Sequence, residues 1–95
     1  MIEIVTFRLR AGADSEKFTA LDARLQTEFF YHQPGLERRT TARSADGSYV
    51  CILHWDSVAA ADAAGAKTMV VNEYTAELTA LLDPTSMSSR RYDSL

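Results

Sequence analysis

The chain has 95 residues, of which 46% are hydrophobic and 24% are charged, and its formal net charge at pH 7 is −3. These values are typical of one globular domain over residues 1–95, and they exclude a disordered or collagen-like chain. The acidic balance predicts that neither nucleic acid nor an anionic membrane is a partner.

The cysteine count and the first residues bear on the cellular compartment. The single cysteine, Cys51, excludes an internal disulfide and lies in an apolar run, where cysteine is usually buried. Glu3 stands where a signal peptide would carry positive charge. No run reaches the about 18 apolar residues of a membrane span. We therefore expect a cytoplasmic protein.

The first half of the chain predicts a strand, a helix and a second strand. Residues 2–10 are rich in β-branched and aromatic residues, which favours a strand. Asp14 is a good N-cap for a helix over residues 14–32, whose apolar side chains recur at helical spacing until Pro34 and Gly35 end it. Residues 36–44 are rich in threonine and arginine and predict an exposed or pocket-facing strand.

The second half predicts a hairpin, a broken helix and an edge strand. Asp46 and Gly47 form a hairpin signal before the apolar strand Tyr49–Trp55. A helix follows, weakened or ended at Gly65, and its apolar spacing resumes from Val71. Residues 85–92 can form a last, mostly polar strand. The order is βαββαβ, an α+β ferredoxin-like fold with both helices on one face of the sheet.

The strand Tyr49–Trp55 lacks the alternation of polar and apolar residues that a one-sided sheet requires. Continuous apolar strands are typical of sheets that are buried on both faces. The two helices can cover only one face, and the other would expose a large apolar patch. A second copy packed sheet to sheet with twofold symmetry would cover it, so we predict a homodimer.

Two segments, residues 33–64 and 71–84, resemble the antibiotic biosynthesis monooxygenase family of the dimeric α+β-barrel superfamily. The shared features are Pro34-Gly35 between helix and strand, Trp55-x-Ser57 at the next junction, and the alanine-rich helix that follows. The resemblance implies a pocket between the sheet and its helices, or within the barrel. The family includes cofactor-independent monooxygenases that act on aromatic polyketides, haem-degrading enzymes, and many members of no known activity.

One departure from the family bears on cofactors. Members often carry a histidine on the helix after the tryptophan, at the position of Ala64 here. Its absence argues against haem degradation. The two histidines, His32 and His54, are far apart in sequence and lack neighbouring carboxylates, so no metal site is predicted. We expect no cofactor.

His54 and Tyr74 are the candidate catalytic residues. An ordinary histidine pKa of about 6.5 suits proton abstraction near neutral pH, and Tyr74 could hydrogen-bond a quinone or phenol oxygen. Asn72 could add an amide contact to the substrate. The alternatives are a histidine hydrogen-bonded at a strand end or dimer seam, and a core tyrosine.

Four polar residues would share a sheet face if the even residues of the second strand look inward. These are Thr6, Arg8, Arg38 and Thr40. Of these, Thr6, Arg8 and Arg38 are candidate substrate-binding residues, since an arginine pair could hold an acidic or enolate ligand. The alternative is ion pairing with Glu3 or Glu37 at solvated edges or at the dimer seam. The sequence does not fix the phase of the strand.

The residues leave two functional hypotheses open. The first is a homodimer that binds a small aromatic or polyketide-like molecule and oxygenates it without a cofactor. The second is a non-catalytic dimer that carries a ligand or acts as a stress-type accessory protein. An isomerase or cyclase of the same fold would need only one base and one oxyanion donor.

Overall fold

The computed structural model describes residues 1–68 and 72–95, which form an antiparallel sheet in the order β2-β3-β1-β4 together with three α-helices. The strands are β1 (Ile2–Phe7), β2 (Leu36–Arg43), β3 (Tyr49–Trp55) and β4 (Ser88–Tyr92). The helices are α1 (Ser15–Glu28), α2 (Val58–Thr68) and α3 (Glu73–Leu81), with 3-10 turns at Phe30–His32 and Pro84–Ser86. This arrangement confirms the predicted α+β ferredoxin-like order with a broken second helix.

Several predicted bounds differ from the structure: β2 ends at Arg43, and β4 begins only at Ser88. Strand β1 ends at Phe7, although Leu9 still bridges to Leu82. The first α-helix stops at Glu28, and a 3-10 turn covers the rest of its predicted length. Helix α2 continues through Gly65 to its last residue, Thr68. Val71, predicted to resume the apolar spacing, lies outside the described residues.

Side-chain caps fix where two of the helices begin. The Asp14 carboxylate accepts hydrogen bonds from the backbone N–H groups of Glu16 and Lys17, at 2.9 and 3.4 Å, as its sequence position predicted. The Asn72 side chain accepts from the N–H of Thr75 at 3.1 Å, and the Thr75 hydroxyl accepts in return from the N–H of Asn72 at 2.8 Å. This reciprocal capping box satisfies donors that the first turn of α3 would otherwise leave unpaired.

The odd-numbered residues of β1 and β3 face the helices. Cys51 pairs with Val5 across the two strands, and Leu53 pairs with Glu3. The buried members of this face are Phe7, Tyr49, Cys51, Leu53 and Trp55. They pack against buried residues of α1 and α2, so the core lies on this side of the sheet.

The even-numbered residues form the opposite surface, which we call the open face. Its central side chains are Ile2, Ile4, Val50, Ile52 and His54. They are half-buried, and none of them belongs to the hydrophobic core described above. Edge residues of β2 and β4 frame them and are exposed. The apolar strand β3 therefore has one face in the core and one on the open face.

Within residues 1–68 and 72–95, no helix has both the length and the apolar character needed to cross a membrane.

Gly35, in the turn before β2, provides a test of this packing. Its φ is +85°, and an added Cβ would lie 2.4 Å from Asp56 Oδ1 and 2.6 Å from Ala60 Cβ. Gly47 in the hairpin has a similar φ of +89°, but a Cβ there would meet nothing within 4 Å. We expect Gly35→Ala to lower the free energy of unfolding by about 2–5 kcal/mol, since it adds a clash to backbone strain.

The matched variant Gly47→Ala carries the strain alone and is expected to cost about 1–2 kcal/mol. Urea denaturation of both variants measures the difference. Equal losses would contradict the close approach of α2 to the turn.

Candidate ligand cavity

A cavity of about 360 Å³ lies between the sheet and its helices. This volume falls within the range of small-molecule sites, about 300–1,000 Å³. Apolar side chains dominate the walls, among them Val5, Leu25, Phe30, Leu53, Ala64 and Leu78. The sequence resemblance implied a pocket between the sheet and its helices, and the structure has one there.

Arg39 of β2 brings a charge into this apolar lining. Its side chain is only 5% exposed, and its Nη2 lies 2.7 Å from Asp22 Oδ1. Nη1 donates a hydrogen bond to Gln26 Oε1 at 3.2 Å. The guanidinium carbon also lies 4.5 Å from the centroid of the Phe30 ring, a cation–π contact. Ion pair, amide and ring together hold the guanidinium in place.

One donor of this guanidinium is not satisfied by the protein. Arg39 Nε is buried and has no hydrogen-bond acceptor in the described ranges. Most buried polar groups in native proteins are paired, so such an atom indicates a place where a water or a ligand binds.

Glu3 of β1 brings a further charge to the lining, which also includes Asp22. It accepts hydrogen bonds from Trp55 Nε1 at 3.3 Å and from Arg91 Nε at 3.1 Å, and Arg91 Nη1 also donates to Asp62 at 2.7 Å. Leu53 separates Glu3 from Arg39 in one row across three strands. With strands about 4.8 Å apart, the Cα atoms of the two charged residues are about 10 Å apart. The cavity therefore has polar groups on two sides of an apolar floor.

Cys51 also lines the cavity and stays a neutral thiol. Burial raises its pKa above the ordinary thiol value, and the nearby positive charge of Arg39 only partly opposes that shift. A protonated thiol is a poor nucleophile, so the raised pKa makes Cys51 a poor candidate for thiolate chemistry.

His54, predicted as a general base, lies on the open face. It stands between Ile2 of β1 and Arg38 of β2. Among the described residues that line the cavity, His54 does not occur. The cavity therefore lies on the other side of the sheet from this histidine, whose catalytic role stays a prediction.

Tyr74 lies in the first turn of α3, and Asn72 is the N-cap of that helix. The Tyr74 hydroxyl donates a hydrogen bond to Glu28 of α1, which raises the tyrosine pKa, and Arg24 lies 5.4 Å from the ring centroid. Asn72 uses its side-chain oxygen as the helix cap. Neither residue is in the described part of the cavity lining. Their predicted roles in catalysis and substrate binding stay predictions.

The three predicted substrate-binding residues of the sheet do not meet at the cavity. Thr6 and Arg38 are exposed on the open face. Arg8 lies beyond the end of β1, and its Nη2 pairs with Asp46 Oδ2 of the hairpin at 2.9 Å. Thr40 also lies on the open face, together with Thr6 and Arg38. Their roles, too, stay predictions.

Sequence reasoning missed Arg39. The only available signal was strand phase: Arg39 pairs with Leu53, and a residue opposite a buried strand position shares its face. The apolar pattern of β3 fits either phase of β2, because both faces of β3 are apolar. The identity of the inward-facing arginine therefore depended on the hairpin register.

The chain has the α+β fold of the antibiotic biosynthesis monooxygenase structures, and the resemblance seen in the sequence is confirmed at the level of the fold. The crystal structure of SnoaB, a cofactor-independent oxygenase from Streptomyces nogalater, is 24% identical with a TM-score of 0.77, over 99% of this chain and 91% of that chain. A crystal structure of an antibiotic biosynthesis monooxygenase is 18% identical with a TM-score of 0.71, over 100% and 99% of the two chains.

A third similar structure is Rv0793 from Mycobacterium tuberculosis. It is 22% identical with a TM-score of 0.71, and the match covers 99% of this chain and 93% of that chain. No protein-family model matches the sequence, and no curated protein matches it significantly. These likenesses show the fold, and the site must carry the argument for activity.

Proposed function

We propose that this protein binds a small aromatic or polyketide-like molecule and oxygenates it without a cofactor. The observation that carries the proposal is the apolar cavity of about 360 Å³ between sheet and helices. Its walls suit aromatic rings, and Arg39 and Glu3 supply polar contacts at two sides. The likeness in fold to a cofactor-independent oxygenase supports the choice of reaction.

The chemistry requires only an electron-rich substrate and O₂. Removal of a proton from a phenol, or from its ketone tautomer, gives an anion whose ring carbon reduces O₂. A carbon–oxygen bond forms to give a peroxide, which loses water and leaves a carbonyl group. One oxygen atom stays in the product and the other leaves as water, so no further reductant is needed.

Oxygen uptake with aromatic polyketides and hydroquinones tests the proposal. We expect substrate-dependent O₂ consumption with one carbonyl product formed per O₂. Ala64 is buried in the cavity wall, so Ala64→Leu should narrow the site and lower kcat/KM by about tenfold or more. Ala59→Leu, at an exposed position of the same helix, is the matched control and should keep the rate.

A non-catalytic ligand carrier is the second candidate. The state of the cavity carboxylates favours this candidate. Asp22 is ion-paired with Arg39 and Glu3 with Arg91, so neither carboxylate is poised to act as a general base. A folded protein that binds the same aromatics but consumes no O₂ would overturn the oxygenase and leave the carrier. If the Ala64→Leu variant then loses binding while the Ala59→Leu control keeps it, the ligand still binds in the cavity.

We further propose that two copies associate through their open faces. The half-buried isoleucines and Val50 at the centre of this face would be covered by the same residues of a second copy. Such an isologous contact closes after two subunits. His54, Thr6 and Arg38 of both copies would then lie at the interface, and their predicted roles would operate there.

Ile52→Lys tests the dimer. A lysine at the centre of the apolar contact would have to be buried without a partner, so we expect the dimer dissociation constant to rise about a hundredfold or more. Val58→Lys, at an exposed position at the start of α2, should leave the dimer intact. Sedimentation velocity over a concentration series measures both. A wild-type monomer at all concentrations would contradict the proposal.

A further inference from the structure

Among residues 1–68 and 72–95, the Nε–H of the Arg39 guanidinium has no acceptor, so it is available to a ligand. Asp22 occupies Nη2 and Gln26 occupies Nη1, while Nε has no acceptor among residues 1–68 and 72–95. The side chain is 5% exposed, so bulk water does not solvate this N–H freely. Because Arg39 lines the cavity, a molecule in the cavity can supply the missing acceptor.

Among the described residues beside Arg39, the Cys51 thiol is a hydrogen-bonding neighbour of the guanidinium, but it offers Nε at most a weak acceptor. The Cys51 thiol lines the same cavity, and burial keeps it protonated, so its sulfur is only a weak acceptor. The Thr41 hydroxyl donates to Asp22 Oδ1 at 3.0 Å and thereby helps to hold the carboxylate at Nη2 of the guanidinium. The ion pair thus occupies Nη2, while Nε has no acceptor in the described part of the chain.

The side chains around Nε determine which chemical group can lie next to the acceptor oxygen of a ligand. Phe30 covers one side of the guanidinium, and apolar side chains such as Leu25 and Leu53 line the adjoining space. An apolar ring fits these walls, and an oxygen on the ring would reach Nε. An anionic oxygen forms a stronger hydrogen bond to a guanidinium than a neutral one does.

We propose that the cavity binds an aromatic oxyanion, a phenolate or a ring carboxylate, through the Nε–H of Arg39. The proposal rests on the proposed function of the cavity as a small-molecule site. It adds a substrate class: aromatic compounds with an acidic oxygen, in preference to neutral aromatics of the same size. A phenol held as its anion is also the form that can reduce O₂.

Three matched probes test the proposal on the wild-type protein: para-nitrophenol, para-nitrobenzoate and nitrobenzene. They share the nitro-substituted ring and differ in the acidic oxygen. Quenching of the fluorescence of Trp55, the single tryptophan and part of the cavity wall, reports binding of each. We expect at least one of the two acidic probes to bind about ten- to a hundredfold more tightly than nitrobenzene.

The two acidic probes separate the two sources of the oxyanion. Tighter binding of para-nitrophenol identifies a phenolate site, and its visible absorbance should then show a larger phenolate fraction when bound than when free at the same pH. Tighter binding of para-nitrobenzoate identifies a carboxylate site. Equal binding of all three probes would overturn the proposal and leave the cavity as a site for neutral aromatics.

The Arg39→Lys variant distinguishes the effect of the Nε–H hydrogen bond from the effect of the positive charge at this position. Lysine keeps a positive charge opposite Asp22 but lacks the guanidinium fork. We expect the preference for the acidic probe to fall about tenfold while nitrobenzene binding is unchanged. Arg43→Lys is the matched control, because Arg43 is exposed on the same strand and lies outside the described cavity lining.

The other possible outcomes also test the proposal. If the Arg39→Lys variant keeps the full preference for the acidic probe over nitrobenzene, the proposed contact with Nε is wrong. If no probe binds to the folded wild-type protein, both this proposal and the small-molecule function of the cavity are wrong. The comparison of the three probes needs no variant, so it decides even if Arg39→Lys fails to fold.

Discussion

Replacement of Trp55 by alanine is expected to lower the free energy of unfolding by about 3–5 kcal/mol, the usual cost of removing a buried aromatic side chain. Trp55 is 1% exposed and belongs to the core cluster that joins β3 to α2. Its indole N–H also donates to Glu3, which would lose that partner. Urea denaturation followed by far-ultraviolet circular dichroism measures the loss without relying on tryptophan fluorescence.

Two further variants serve as controls for the Trp55→Ala measurement. Trp55→Phe keeps most of the apolar volume and should cost less than the alanine variant. Val58→Ala removes an apolar side chain that is 50% exposed and should change stability by no more than about 0.5 kcal/mol. A Trp55→Ala loss as small as that of Val58→Ala would mean that the tryptophan does not anchor the helix on the sheet.

Replacement of Arg39 by methionine is expected to cost about 3–5 kcal/mol, because it leaves the Asp22 carboxylate without its charged partner in a largely buried site. The Asp22 side chain is 18% exposed, and its remaining side-chain donor is the Thr41 hydroxyl. Denaturant unfolding at constant pH gives the loss.

The double variant Arg39→Met with Asp22→Asn removes both charges and should recover most of that stability. If the double variant is as unstable as the single one, the cost comes from lost packing of the arginine stem and not from the unpaired carboxylate. Comparison of the two variants therefore separates the effect of the unpaired charge from that of the lost side-chain volume.

Much of the fold could be predicted because its strongest signals are local. Asp14 caps α1 as its sequence position indicates, and Asp46-Gly47 marks the hairpin. The apolar run Tyr49–Trp55 is β3 with the predicted bounds. The end of α1 was less predictable, since apolar spacing continues through a 3-10 turn that has no distinct pattern.

The cavity was less predictable, because it depends on contacts between distant strands. Arg39 and Arg38 are neighbours in sequence, yet the first is buried against Phe30 and the second is exposed on the open face. Only the pairing of β2 with β3 decides between them. Asn72 shows the same limit: its amide suits a substrate contact in the sequence, whereas in the structure it caps α3.

The two faces of the sheet also account for the position of His54. It precedes Trp55 in the chain, and adjacent strand residues point to opposite sides. Trp55 therefore enters the core while His54 reaches the open face. In the proposed dimer this histidine would lie at the interface between two copies, whereas Arg39 lines a cavity within one chain.

Methyl NMR spectroscopy with para-nitrophenol tests most directly whether the cavity, and not the open face, holds the ligand. The three isoleucines, Ile2, Ile4 and Ile52, all lie on the open face, whereas Leu25, Leu53, Leu78 and Leu82 line the cavity. Selective labelling of the two residue types therefore reports the two faces separately. We predict ligand-induced shifts in these leucine methyl groups with the isoleucine signals unchanged. Shifts confined to the isoleucines would contradict the account and place the ligand between two sheets.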